Sequence, residues 1–400
     1  MSRRYRIGQA VVEEDDATFA VSLAEAYRLR QRPVCLCCDK GAAMYIARNG
    51  DQFLVKRMPL TGSDHDPQCL SFEPPYELSG LGPLIGGAIQ LDPNSGMAAL
   101  KLDFSLSKRG AVKSSGGVGQ NEGPVKNEIK KLTLRGLLHY LWHHGGLTEW
   151  TAHWAGKRHW FQVRSHLIEA AATMTVKGGS LLERLFIPET FRLDDKAGIE
   201  KRRAAALSGI RAPASGPKNL MLLIGEVKEF ASARSGQKII VKHMPGFPLM
   251  IEEGAWRRLQ KRYAAELELW EANDGFHLVV IATFGITQSG LASIDEIALM
   301  SASEQWLPVE NTYEQQLVER LSRLSLKSVK GLRFNLSSSH PIASATLPHR
   351  RPCAAGLYIV PPDADEEFEA ALAEMIAARD DVEPWIWRVG EGEMPPLPIG

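Results

Sequence analysis

The chain carries no surplus of either charge: 47 lysines and arginines stand against 47 acidic residues, a formal net charge of +0. Bulk electrostatics therefore recruit neither nucleic acid nor an anionic membrane, and such a partner would need a local basic patch. Long apolar runs are missing as well. The longest, 220–225 and 278–284, are of strand length, far short of the ~20 apolar residues of a membrane span. The opening MSRRYRIGQA lacks the apolar stretch of a signal peptide. The expectation is a cytoplasmic protein with no membrane partner. There is no Walker sequence and no GxGxxG turn, and Ser337, Ser338 and Ser339 before His340 lack the glycines of a nucleophile elbow. Cysteine is scarce and odd in number, five in 400 residues. Four of them, Cys35, Cys37, Cys38 and Cys69, crowd into one short stretch, which fits a reducing compartment better than a disulfide framework.

That stretch is the strongest signal present. Cys35 and Cys38 form a CxxC pair, and His65 and Cys69 follow as HxxxC. Two such half-motifs, brought together by an intervening hairpin, close a tetrahedron around Zn²⁺. Cys37 is the alternate ligand, able to replace Cys35 or to remain a buried thiol. Four protein ligands leave no open position for water, so a zinc ion here would be structural rather than catalytic.

The pattern of the chain reads as α+β. An N-terminal domain, 1–107, holds the zinc module at about 32–73. Within it 15–31 reads as a helix with Phe19, Leu23, Ala24 and Tyr27 on one face. MYIARNGDQFLVKRMP reads as a hairpin turning at Asn49-Gly50. Residues 84–106 form a further strand pair around Asp92-Pro93-Asn94-Ser95-Gly96. A Gly/Ser-rich linker spans 108–124, and a helical basic-aromatic subdomain spans 125–211. Next, 218–310 is a mixed domain of hairpin, helix and strands. Its helix at 254–271 carries an apolar stripe of Trp256, Leu259, Tyr263, Leu267 and Trp270. An α/β domain at 311–390 begins with a helix at Thr312, where Gln315 gives capping-box spacing. Strands at 332–336 and 356–360 precede a helix at 365–378, and a Pro-rich tail closes the chain at 391–400.

Two segments suggest chemistry. HYLWHHGGLTEWTAHWAGKRHWFQVRSH holds four tryptophans, six histidines and three basic residues. Trp154 and Trp160 are candidates for stacking on bases, with Lys157, Arg158 and Arg164 on phosphates and Lys131 and Arg135 extending the patch. Core tryptophans with solvated basic neighbours are the alternative. The second segment is Glu226-Val227-Lys228, the Glu-x-Lys of metal-dependent PD-(D/E)xK nucleases, with Asp194 or Asp195 as the upstream acid. The C-terminal part repeats the nuclease skeleton, with Glu314 on its first helix. Its strands FNLSSSHPIASATL and GLYIVPP carry no carboxylate where metal ligands belong.

RPVCLCC, MYIARNGDQFLVKRMPLTG, HDPQCLSFEPPYELSGLG, LWHHGGLTEW with GKRHW, IGEVKEF and WIWRVGEGEMPPLP together resemble one bacterial family. It is catalogued as a domain of unknown function and found largely on plasmids and integrative elements of proteobacteria. The resemblance runs over nearly the whole chain and implies Cys35, Cys38, His65 and Cys69 as a shared cluster. More loosely, a zinc knuckle before a degenerate restriction-endonuclease-like region is similar to competence-associated zinc-finger nucleases. The family context implies DNA handling. The expected function is thus a zinc-stabilised, non-catalytic nucleic-acid-binding component of a mobile-element or DNA-processing complex, with DNA and other proteins of that complex as partners. A metal-dependent nuclease using Asp194 or Asp195, Glu226 and Lys228 is the first alternative, and a protein-binding scaffold the second.

Overall fold

The computed structural model describes residues 3–49, 52–58, 60–92, 95–108, 131–177, 179–213, 216–234 and 236–399. The linker expected at 108–124 lies, beyond Lys108, outside the described residues, as do Gly50, Pro93 and Asn94 of the two turns.

The chain opens with a curled antiparallel sheet. Strands β1 (Arg4–Ile7) and β2 (Ala10–Glu13) precede helix α1 (Phe19–Arg28). Then β3 (Val34–Cys35), β4 (Ala42–Asn49) and β5 (Gln52–Arg57) complete the order β2-β1-β3-β4-β5. The expected hairpin is there, paired from Met44↔Arg57 to Asn49↔Gln52. Tyr5, Leu23, Ala26 and Met44 make a small core of its own. Leu23 and Ala26 are three apart, so α1 buries one stripe. Tyr27, expected in that stripe, is 45% exposed and lies against Phe53 instead.

Strands β6 (Ile89–Leu91) and β7 (Ala98–Leu100) form the pair expected at 84–106. Beyond β8 (Ser107–Lys108) come α2 (Leu134–His144), β9 (Glu149–Trp150) and α3 (Trp160–Ala172). The side chain of Thr133 accepts the Gly136 N–H and so starts α2. Short strands β10 (Met174–Val176), β11 (Gly179–Ser180) and β12 (Leu185–Phe186) lead to α4 (Lys196–Ala206) and β13 (Lys218–Asn219).

The largest sheet closes on itself. It contains β14 (Met221–Ser232), β15 (Gln237–Val241), β16 (Leu249–Ile251), β17 (His277–Ile286) and β18 (Ala292–Ala302), with α5 (Glu253–Arg262) and α6 (Ala264–Ala272) between β16 and β17. The order is β12-β14-β15-β16-β18-β17, and β14 pairs with β17 as well, which completes a five-stranded ring. Within that ring only β16 and β18 run parallel. Both β14 and β17 carry near-continuous apolar runs because both faces are covered. Helix α2 packs on β17 and β18, and so does α6 on its side. The single helix expected at 254–271 is two, broken at Tyr263 (φ −116°, ψ 32°). Of the expected stripe, Leu259 and Tyr263 are buried, and Trp256, Leu267 and Trp270 are half-buried against the same core. Leu269, outside the stripe, is buried too.

One apolar cluster runs through β6, β7, α2, α3 and this ring, reaching from Leu81 to Phe334. Residues 132–210 and 220–306, read from sequence as neighbouring units, contribute to it together.

The last part contains α7 (Thr312–Arg323), β19 (Ser328–Lys330), β20 (Ala343–Leu347), β21 (Ala354–Val360), α8 (Glu366–Ala377) and β22 (Val382–Arg388). Its sheet order is β22-β21-β20-β19-β9, antiparallel from β19 to β21 and parallel between β21 and β22. Asn311, not Thr312, caps α7, its side chain accepting the Glu314 N–H. Asp365 caps α8. The strand expected at 332–336 falls instead at Ser328–Lys330. Phe334 takes φ +52°, and its N–H goes to Nδ1 of His139 on α2 rather than to a neighbouring strand. Here the backbone approach is close: a Cβ on Gly80 would stand 2.0 Å from the Arg333 carbonyl oxygen. Among the described residues no helix is long and apolar enough to cross a membrane.

Candidate metal centre

The expected Cys/His cluster forms with one member exchanged. Cys35, Cys37, His65 and Cys69 bring their ligand atoms within 4.8 Å of one another, and Cys38 is not in the group. Strand geometry explains the correction. Extended backbone continues from β3 through Leu36, whose N–H bonds to Arg4 O. Side chains alternate across an extended strand, so Cys35 and Cys37 share a side and Cys38 does not. The Cys38 thiol pairs with the carbonyl of Asp64 at 3.5 Å. The tight turn Gly62–Asp64 delivers His65, and the Cys69 N–H bonding to Asp66 O brings the fourth ligand around.

The geometry suits zinc. With Zn–S near 2.3 Å and Zn–N near 2.0–2.1 Å, a tetrahedron requires about 3.8 Å between sulfurs and about 3.5 Å from sulfur to nitrogen. Cys35 and Cys69 Sγ are 3.8 Å apart, and His65 Nδ1 lies 3.3 Å from Cys37 Sγ and 3.7 Å from Cys69 Sγ. Backbone N–H groups of Asp66 and Ser71 point at the sulfurs of Cys37 and Cys69, at 3.4 and 3.3 Å. Such donors favour thiolate, the form a metal binds. The hydrogen bond from Cys35, against burial and helped by His65 and the Ser71 N–H, pulls the Cys69 thiol down to about 3. Burial pushes Cys37 up to about 11 when no cation is near. His65 is 3% exposed. Three sulfurs and one imidazole, enclosed and four in number, are the donor set of a structural zinc site.

The fold and this centre define an α+β protein with an N-terminal Cys₃His cluster. The chain belongs to the family described as protein of unknown function (DUF1173), whose model matches residues 5–390. No curated protein and no solved structure matches it.

The other candidates scatter. Trp160 is 4% exposed, stacked on His243, with its indole N–H donated to the Pro188 carbonyl. Arg158 is 5% exposed and donates to the carbonyls of Leu147 and Glu149. Burial holds its guanidinium down to about 10. Neither side chain is presented to solvent, and both fix the segment from within. Arg158 lies over the half-buried Trp154 ring, 5.1 Å from its centroid. Arg164 donates to Ile187 O, and Arg135 donates to the carbonyls of Phe334 and Leu336. Lys131 and Lys157 are exposed.

The nuclease candidates are engaged elsewhere: Glu226 by Lys242 and His277, and Asp195 by Arg202. Among the described residues the Cys/His cluster is the only group of three or more candidate ligands, so Asp194, Asp195 and Glu226 do not form one together. Asp195 is held by Arg202 and Arg192. Glu226, 3% exposed, accepts from Lys242 at 2.5 Å and His277 at 2.6 Å. Burial pushes its carboxyl up, but those two partners outweigh it and leave the group below the usual range. A β-bulge after Val227 disturbs the register, and Lys228 is exposed. Glu314 is buried in an ion pair with Lys330.

Sequence reasoning missed two cavities. One, of about 320 Å³, lies between the N-terminal sheet and the ends of α2 and α3. The other, of about 620 Å³, lies at the C-terminal sheet beside Glu310, Arg333 and Ser344. Their walls come from residues distant in sequence, which local pattern cannot pair.

Proposed function

We propose that the chain is a zinc-stabilised nucleic-acid-binding protein that does not cut its ligand, working as one component of a DNA-processing assembly. The observation carrying this reading is the connectivity of the five-stranded ring. Numbered one to five along the chain, its strands follow the order 1-2-3-5-4, close through 4 to 1, keep 3 and 5 parallel, and carry helices between 3 and 4. That is the plan of an OB barrel, which binds oligonucleotides across its second and third strands and the loops 1–2 and 4–5. In this chain those places hold the exposed Arg234 in the first loop and Lys238 on β15 opposite Met250 of β16, with the exposed Lys228 on the neighbouring first strand, β14.

The C-terminal part supports the same class. Its helix–strand–strand–strand–helix–strand order follows the nuclease skeleton. Of the carboxylates around the cavity at the sheet, Glu314 is taken up by Lys330, Glu310 by Arg333 and Asp365 by the cap of α8, and the strand residues there are Ser344 and Ile359. Such a unit can keep a DNA-related shape without metal chemistry.

The test is anisotropy of labelled single-stranded and duplex DNA at several salt concentrations, with Mn²⁺ present. Wild type should bind with affinity falling as salt rises and leave the DNA intact. In Arg234→Ala/Lys238→Ala the single-strand salt slope should shrink by about 1.4, from the loss of two phosphate contacts. An unchanged slope would remove the barrel face from the proposal, and no binding at any salt would end it.

A further inference from the structure

We propose that the cavity between the N-terminal sheet and the α2–α3 end is a binding site for a neutral, hydrogen-bonding ring compound of nucleoside size. The proposal does not rest on the nucleic-acid reading. At about 320 Å³ the cavity is at the small end of ligand sites.

Its charge pattern selects the ligand. Arg3, Lys56 and Arg57 stand at the wall, but each faces a carboxylate: Glu14, Glu169 and Glu73 respectively. Those pairs leave none of the three cations free for a phosphate. His144 and His166 are also engaged, by Thr173 Oγ1 at 3.0 Å and the Gly145 carbonyl at 2.7 Å.

What remains unspent is Tyr45, Tyr140, His143 and Glu149, whose side chains make no hydrogen bond or ion pair among the described residues. Tyr140 is 3% exposed and lines the cavity wall. Burial raises the Glu149 carboxyl and lowers the His143 imidazole, so both lean toward their uncharged forms. A neutral carboxyl, an imidazole and two phenols offer donors and acceptors together, with flat aromatic walls. A heterocyclic base or a sugar ring fits that set, and an inorganic anion does not.

The site is also braced from the metal centre. The Ser71 N–H meets Cys69 Sγ, the Ser71 carbonyl accepts from Arg57 at 2.9 Å, and Arg57 pairs with Glu73 at the wall.

The experiment uses the full zinc-loaded chain with adenosine, cytidine, glucose and inorganic phosphate as separate probes, read by saturation-transfer NMR and calorimetry. A nucleoside or the sugar should bind saturably, and whichever does identifies the source of the ring. Tyr140→Phe and Glu149→Gln, shown folded by unchanged near-ultraviolet dichroism, should each weaken it about tenfold. Binding unaffected by either variant, binding of phosphate alone, or no saturable binding by any probe would each overturn the proposal.

Discussion

Exchanging Cys37 and Cys38 for serine, one at a time, separates the two possible tetrads by a wide margin. Cys37 Sγ sits 3.3 Å from His65 Nδ1 and receives the Asp66 N–H, whereas Cys38 bonds a carbonyl outside the cluster. Serine at 37 removes one of four ligands and substitutes a hard, undeprotonated hydroxyl. Zinc should then bind at least about 10³-fold more weakly, ~4 kcal/mol. Because metal affinity in such a module is folding energy, the N-terminal sheet should loosen as well. Its own core is small, centred on Tyr5, Leu23, Ala26 and Met44, and has little in reserve. Serine at 38 should change zinc affinity by less than about threefold, the scale of a lost weak thiol–carbonyl bond. The assay is competition against a chromophoric chelator, with metal content by mass spectrometry and thiolates counted from the Cd²⁺ charge-transfer band. Three thiolates are expected. Zinc lost from Cys38→Ser but kept by Cys37→Ser would refute the strand-alternation argument.

Three further perturbations test the fold around the sites. His139, 2% exposed and accepting the Phe334 N–H, is held down to about 3 by burial and then by Arg135. Unfolded, it takes a proton near pH ~6.5. Its contribution is therefore complete above that pH and lost on acidification towards pH 3, at about 1.4 kcal/mol per unit. Urea midpoints should fall between pH 7.5 and 5.5 by a smaller amount in His139→Asn, and equal slopes would contradict this. Glu314→Ala strands a buried Lys330 ammonium and should cost about 3–5 kcal/mol, with Lys330→Met restoring much of it; a urea cost under 0.5 kcal/mol, on the order of a surface change, would refute the pair's importance. Gly80→Ala drives a methyl into the Arg333 carbonyl and should cost about 1–3 kcal/mol by the same measurement, with no cost disproving the close contact.

Local signals were readable and long-range ones were not. The hairpin at Met44–Arg57 rests on alternation around Asn49-Gly50 and so could be read in advance. Sequence leaves the entry of the last helix open between Asp363 and Asp365, and the structure places the cap at Asp365. The metal cluster was legible to within one ligand. CxxC spacing pointed to Cys38, and only the extended backbone at Leu36 shows that Cys37 shares a side with Cys35. Trp160 and Arg158 looked like a nucleic-acid surface because tryptophan and arginine serve cores and interfaces alike. Their burial depends on Pro188 and Leu147, which composition does not pair with them. The strand expected at 332–336 failed through a tertiary partner, His139, almost two hundred residues earlier. The barrel was beyond reach for the same reason, since its closure joins β14 to β17 across two helices.

Strand β9 has a consequence for how the molecule is made. Glu149 and Trp150 form the edge of the C-terminal sheet by pairing with Ser328 and Val329, although they follow α2 in sequence. During synthesis that edge leaves the ribosome roughly 180 residues before its partner, a wait of about 10–35 s at ordinary elongation rates. Throughout it Trp150 and its unpaired backbone have no sheet to join, which makes this stretch a natural target for a holding chaperone. A chain halted near residue 311 would keep that edge exposed for good, so premature termination should be cleared by degradation rather than leave a working fragment.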